Sequence, residues 1–250
     1  MIYGKPRRAS RTPSVGGSFQ DMRHHAIATF VLLLLASSTE AATIRGVVRV
    51  PGLVSGSSSP SASNPYPGRA SSMRAAAVKR GVLTDAVVSI TGSAPGPWQG
   101  LANDASASAL RGGRLAQKNQ GFTPRVLPVT VGARVDFPNQ DPIYHNVFSV
   151  SPPKRFDLGK FGQGKSKSLV FDKPGLVNVY CDIHSNMEAF IVVLSNAWFV
   201  QPDAEGKFTL PPLPAGTYTV RVWHPDLGDR TVSVTVGADE TRDIELSLAS

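Results

Sequence analysis

The sequence predicts an all-β protein, a β-sandwich followed by a small β-sandwich segment. Three observations carry that prediction. Short runs rich in Val, Ile, Thr and Phe recur, with apolar residues at every second position. Gly, Pro, Asp or Asn, the residues suited to turns, bound the runs. No stretch keeps apolar residues at helical spacing over several turns. Hydrophobic residues make up 41% of the chain, enough for a packed core. Its 250 residues allow one large or two small domains.

Residues 1–42 are read as an N-terminal extension and an export signal. "MRHHAIATFVLLLLASSTEAAT" begins at Met22 with a basic start, Arg23, His24 and His25. An apolar run, Ala26 to Ala36, follows, and small residues at Thr39 and Ala41 offer a cleavage site. The run is shorter than the roughly 20 apolar residues that span a bilayer. Met22 is the expected true start. The expected mature protein is exported to the periplasm and has no transmembrane segment.

After this, "TIRGVVRV" (43–50) is a β-branched strand closed by Pro51-Gly52. Residues 53–80 are Ser/Pro/Ala-rich and read as a low-complexity insertion. "AVVSITG" (86–92) resumes strand, and "SASALRGGRLAQ" (106–117) reads as a short helix. "RVLPVTVGARVDFPN" (125–139) gives two strands around a Gly132 turn, alternating at Val129, Val131, Val135 and Phe137. "HNVFSV", "KSLVF", "LVNVYC" and "AFIVVLS" follow as further strands. Gly159, Gly162 and Gly164 read as turns, since no helix follows to make a phosphate loop. Lys160, Lys165 and Lys167 read as solvated residues or the lining of a docking face.

The texture changes after Ser195. "DAEGKFTLPPLPAGTYTVRV" and the later "TVSVTVG" and "IELSL" carry their own turns and alternating strands. They resemble the carboxypeptidase-regulatory-like, transthyretin-like small β-sandwich. At about 50 residues the segment is short for a free-standing sandwich. Two arrangements are open. The segment is an appended unit, or "TIRGVVRV" and "AVVSITG" supply its missing strands with a metal-bearing domain inserted between them. The first is the expectation adopted, with domains at 43–195 and 196–250.

The chain has one cysteine, Cys181, in "VNVYCDIHSNMEAF". An exported protein meets oxidising conditions, yet a single thiol forms no internal disulfide. Val177, Val179 and Cys181 share one face of a strand, so the thiol points inward with the valines. His184 and Met187 follow at three-residue steps in a short loop. That spacing arises by chance in about 3 of 10,000 cases at this composition. A fourth donor must come from elsewhere. Of the five histidines, His24 and His25 leave with the signal, which leaves His145 and His224 beside His184.

Thiolate, thioether and two imidazoles suit copper, and a His₂Cys site with a long axial Met is the blue-copper arrangement. Zinc would want a second thiolate or a third imidazole, and calcium or magnesium would want oxygens. Two rival readings are weaker. Buried filler leaves His184 unexplained. A Cys–His catalytic dyad leaves Met187 idle and needs an oxyanion hole.

"PNQDPIYHNVFSV" and, 36 residues beyond its histidine, "YCDIHSNM" resemble the cupredoxins, the plastocyanin and amicyanin group. The resemblance covers residues 115–195 well and 43–114 loosely. It implies a Greek-key cupredoxin sandwich and one type 1 copper held by His145, Cys181, His184 and Met187. It makes Asn146 the residue that bonds to the ligand loop and tethers it beside the cysteine. Tyr180 matches the aromatic of a second electron exit. One position departs from the pattern: Ile183 stands where both relatives commonly have Pro. His224 is expected at the surface or between domains.

The resemblance implies an electron carrier and no enzyme. Its redox partner would be a protein such as a dehydrogenase or cytochrome, and it extends to a group labelled methylamine-utilisation proteins. The chain has too few histidines for the extra copper centre of a multicopper oxidase or nitrite reductase. A copper storage or delivery protein, and an adhesive or structural module with incidental metal, are the alternatives. Residues 43–195 carry 17 Lys and Arg against 8 Asp and Glu, and residues 196–250 carry 4 against 8. The basic part suits acidic partners. Its cations are scattered without an aromatic-interleaved patch, which argues against nucleic acid.

Overall fold

A computed structural model of the chain describes residues 41–50, 82–92 and 112–248, all within the compact unit Thr39–Ser250. The export signal and the 53–80 insertion lie outside these residues. The described residues are almost all strand and turn, as expected, with one short 3₁₀ turn at Val82–Asp85. No helix among them is long and apolar enough to cross a membrane.

Two strands come first, β1 (Thr43–Arg49) and β2 (Val87–Thr91). Ten strands follow: β3 (Gly112–Arg114), β4 (Ala116–Gln117), β5 (Phe122–Thr123), β6 (Val126–Thr130), β7 (Ala133–Pro138), β8 (His145–Ser149), β9 (Phe156–Phe161), β10 (Ser166–Phe171), β11 (Gly175–Tyr180) and β12 (Glu188–Leu194). Five close the chain: β13 (Phe199–Val200), β14 (Lys207–Thr209), β15 (Gly216–His224), β16 (Gly228–Val236) and β17 (Thr241–Ser247).

The middle ten strands build one sandwich. Sheet β6-β12-β11-β8-β9 faces sheet β10-β7-β3 across a shared core. Alternation places each side chain. In β7, Ala133, Val135 and Phe137 point in while Arg134 and Asp136 point out. In β11, Val177 and Val179 point in, and Cys181 continues their face at 5% exposure. Gly132, at φ +85°, makes the expected turn between β6 and β7, which belong to different sheets.

The other strands build a second sandwich, and the expected division of the chain changes here. β1 pairs in parallel with β17 over seven residues and antiparallel with β14, while β2 pairs with β13 and β15. Ile44, Val48, Val88 and Ile90 share one core with Phe208, Val220, Val234 and Leu246. Residues 43–49 and 87–91 therefore belong with the C-terminal segment and not with strands β3–β12. Some 50 residues do not close two sheets, and the early strands supply what the C-terminal segment lacks. The ten-strand sandwich is inserted between β2 and β13.

β12 joins the two. Its continuous apolar run reflects burial on both faces. Ala189, Ile191 and Val193 face the inserted core, while Phe190 and Val192 pack with Val87, Val126 and Phe199. The ring of Phe190 meets Trp223 edge-on at 5.8 Å, and the Arg125 guanidinium lies 5.4 Å above it. Arg125 also bonds Asp85 and Asp226 of the other sandwich.

The helix expected at 106–117 is not formed by its described part, which is β3 and β4. β3 adds in parallel to β7, and a Cβ on Gly113 would come within 2.9 Å of Leu127. Packing at the sheet edge overrides local propensity there. Gly159 also departs from expectation: it is a bulge inside β9, at φ +63°, and not a turn.

Candidate metal centre

Four loops meet at one end of the inserted sandwich, and two strands deliver the donor atoms. His145 opens β8 and is fully buried; Cys181 directly follows β11; His184 lies in the loop beyond it and is partly exposed. Their ligand-capable atoms, two imidazole nitrogens and one sulfur, all lie within 4.8 Å of one another. His145 Nδ1 is 3.1 Å from His184 Nδ1, and Cys181 Sγ is 3.8 Å from His184 Nδ1. Met187 is 1% exposed and packs in the same core as Cys181. Its N–H donates to the His184 carbonyl at 3.0 Å, which closes the loop into a turn. Of the four residues that the resemblance names, three thus bring ligand-capable atoms together, and Met187 is buried at the loop's end.

The register explains the approach. Tyr180 is paired with Phe148 of β8, so the end of β11 runs beside the start of β8. The bulge at Gly159 sits opposite Asn146–Phe148. Alternation is broken there, and His145, Asn146 and Val147 are all buried in succession. A bulge beside a site re-aims side chains in this way.

Asn146 differs from its expected role. Its backbone N–H, and not its side chain, approaches the cysteine, donating to Sγ at 3.5 Å. Its side-chain Nδ2 donates to Asp157 Oδ1 of β9 at 2.6 Å, while Oδ1 is buried without a partner. A carboxylate is the stronger acceptor, and the Gly159 bulge brings it within reach: Gly159 N–H donates to the same oxygen at 2.7 Å. These bonds hold the Asp157 carboxyl below its ordinary pKa, the Gly159 N–H contributing most.

Asp141 was not singled out by the sequence. It accepts from His145 Nε2 at 2.8 Å and from the N–H groups of Asn119 and Gln120 at 2.6 and 2.8 Å. Burial pushes its pKa up, but these bonds outweigh burial and leave it below the ordinary value. An ionised carboxylate only accepts, so His145 Nε2 is the donor of this bond and Nδ1 is the ring nitrogen that faces His184. Asn119 and Gln120 sit at φ +55° and +54° in a two-residue turn between β4 and β5, which aims both N–H groups at Asp141.

Asn139 joins the loops. Its Nδ2 donates to the carbonyls of Ile143 and Phe161, its Oδ1 accepts from Asp141 N–H, and its backbone bonds Lys165 and Gly164. The signal for both residues was present in "PNQDPIYHN", as turn-forming side chains four and six residues before a buried histidine. Gln117, also missed, is fully buried with neither side-chain amide atom bonded.

Tyr180 is partly exposed on the face opposite Val179. Its ring lies 5.9 Å from Phe148, and its hydroxyl accepts from Asn178 Nδ2. His224 is far from these groups in the fold, at the end of β15. It is buried rather than at the surface, and its Nδ1 accepts from Asp226 N–H.

The donor set fits a soft or borderline metal that accepts sulfur and imidazole together. One thiol, two facing imidazoles and a buried thioether suit copper better than the oxygen-seeking cations.

Comparisons with known proteins give partial likenesses. The carboxypeptidase regulatory-like domain family matches residues 188–249. No curated protein matches the chain. Among solved structures, the Cu-containing nitrite reductase (NirK) of Thermus scotoductus SA-01 is 29% identical over 33% of this chain, with a TM-score of 0.32. The match spans only 22% of the reductase. A reduced amicyanin variant is 23% identical over 32% of this chain and 79% of its own, with a TM-score of 0.31. A purple cupredoxin from Nitrosopumilus maritimus is 22% identical over 32% of this chain and 98% of its own, with a TM-score of 0.30.

Proposed function

We propose that the protein is an exported single-copper electron carrier with a type 1 site. The supporting observation is the convergence of two imidazole nitrogens and the sole thiol within 4.8 Å, with His145 and Cys181 buried and His184 partly exposed. In this reading His145, Cys181, His184 and the buried Met187 would hold the metal. Copper, when bound, supplies a one-electron couple that neither redox state satisfies ideally in such a donor set.

The chain's own residues then have separate tasks. Asp141 accepts from His145 Nε2 and fixes the ring with Nδ1 turned towards His184. The Asn146 N–H stabilises negative charge on the Cys181 sulfur, one of the known levers on potential. The rigid strands on either side change little with charge at the centre. The partly exposed ring of His184 is the route by which electrons leave, with Tyr180 as a second route. Export to the periplasm, proposed from the signal-like start, is consistent with a lone thiol that a metal occupies.

Copper titration of the purified protein tests the reading. One equivalent of Cu(II) is expected to give an intense blue or green colour that ascorbate bleaches reversibly. A bound but colourless copper that does not cycle would favour storage or delivery and reject the carrier.

A further inference from the structure

The two sandwiches meet along a wedge that is packed at one end and open at the other. One wall is the outer face of β2 and β15, where Val87, Ser89 and Thr91 alternate with the core residues Val88 and Ile90. The other is the outer face of β11 and β12, where Leu176 lies opposite Val192. Phe190, Val87, Phe199 and Trp223 close the packed end. Beyond them the walls part into a cleft of about 270 Å³. It lies at the far end of β11 from Cys181, roughly 16 Å along the strand, and shares no residue with the metal centre.

The walls differ in chemistry. Leu176, 37% exposed, makes one apolar together with Pro174, Val192 and Leu194. The other carries three hydrogen-bond donors at neighbouring positions. Ser89 and Arg221 are directly opposed across β2 and β15, and Trp223 is two residues along β15 on the same face. The Ser89 side chain is 4% exposed and bonds nothing among the described residues. The Trp223 indole N–H is likewise unbonded among them, whereas Trp198 gives its own to the Pro212 carbonyl. Arg221 gives Nε to Asp229 at 3.1 Å, in an exposed pair, and keeps the rest of its guanidinium. Among the described lining residues it alone is charged. Asn196 fixes the mouth: its Nδ2 donates to the carbonyls of Ile90 and Gly92, and its Oδ1 accepts from Trp198 N–H.

We infer that the cleft binds a small monocarboxylate with an aromatic or branched apolar body. The carboxylate meets Arg221 and the Ser89 hydroxyl, and the apolar body lies between Leu176 and Trp223. An apolar pocket with a few convergent polar groups is the usual anatomy of a small-molecule site. A lining with one cation, free donors and no carboxylate selects a negative group. The volume is at the low end for ligand pockets and suits one ring with a short chain. The inference does not depend on the copper reading.

The test titrates the full chain with phenylacetate, with its neutral isostere phenylacetamide and with acetate, followed by amide NMR and tryptophan fluorescence. Phenylacetate is expected to give saturable shifts clustered at 89–92, 174–176, 192–196 and 221–223. It is expected to bind at least about tenfold more tightly than either control, the gain of one charge-assisted bond over the amide and of one buried ring over acetate. Arg221→Gln is expected to cost at least about tenfold in phenylacetate affinity and to abolish the preference over the amide. Asp229→Asn removes a competing carboxylate and is expected to hold or raise affinity. Leu176→Gln is expected to weaken phenylacetate and phenylacetamide alike. The three positions are partly or fully exposed, and an exposed ion pair adds little stability, so the variants should stay folded, as circular dichroism checks.

Equal binding of acid and amide, shifts centred elsewhere, or an Arg221→Gln variant that binds phenylacetate as the parent does would overturn the inference. So would shifts that rise without saturation, which would mean non-specific association only.

Discussion

Asp141 is the residue on which the candidate site leans most outside its donors. Asp141→Asn keeps the shape but replaces one acceptor oxygen with an N–H₂ that faces one or two of the three donors. It is expected to lower stability by about 1–3 kcal/mol and copper affinity by about 10–100-fold. Thermal unfolding of the metal-free variant and competitive copper titration measure the two effects. Gln117→Leu should behave oppositely. It removes two buried polar atoms that have no partner, so the melting temperature should hold or rise; a fall of several degrees would mean that the amide is held by a bound water. At this scale the sequence reveals residue types that are rare and oddly spaced. Cys181, His184 and Met187 stand out because one thiol, one imidazole and one thioether fall within seven residues. Asp141 and Asn139 look like ordinary turn residues until a fold shows what they touch. The Asp157 bond to Asn146 depends on a one-residue bulge at Gly159, which no local pattern announces.

The elements divide the same way. β7 and β11 alternate plainly, because one face of each meets a core and the other meets water or a neighbour. β3 and β4 are illegible for the opposite reason: they are three and two residues long, the first has two glycines, and both are defined by what they pack against. The turn between β4 and β5 offers a clean test of the brace on Asp141. Lys118 and Gly121 exchange backbone bonds at 2.9 and 3.1 Å, and the two residues between them both have positive φ. Gln120→Gly suits such a turn and retains the N–H that Asp141 accepts. It is expected to stabilise the protein by up to about 1 kcal/mol in chemical denaturation. A loss of stability would mean that the left-handed turn is not formed. β12 carries a larger load, since it is covered on both faces. Phe190→Ala is expected to cost about 3–5 kcal/mol and to loosen both sandwiches in hydrogen exchange.

At the scale of the whole molecule, one sandwich is inserted into another. The C-terminal segment was legible as a β-sandwich fragment. Its missing strands were foreseen only in the arrangement not adopted, because β1 and β17 are nearly 200 residues apart in sequence and parallel pairing leaves no turn to read. The arrangement makes a sharp prediction. Removing residues 197–250 strips β1 and β2 of their partners and bares Ile44, Val48, Val88 and Ile90. The truncated chain should aggregate rather than remain a soluble copper protein, as size-exclusion chromatography would show. A soluble, monomeric product would mean that β1 and β2 have another place to pack. The inserted sandwich carries the donors and the excess of basic residues, and the acidic excess lies in the C-terminal segment. The most direct test of the copper site is electron paramagnetic resonance of the Cu(II)-loaded chain beside Cys181→Ser. The parent should show the narrow copper hyperfine splitting of a covalent copper–thiolate bond, and the variant should lose it. Ordinary wide splitting in the parent, or a spectrum that Cys181→Ser leaves unchanged, would contradict it.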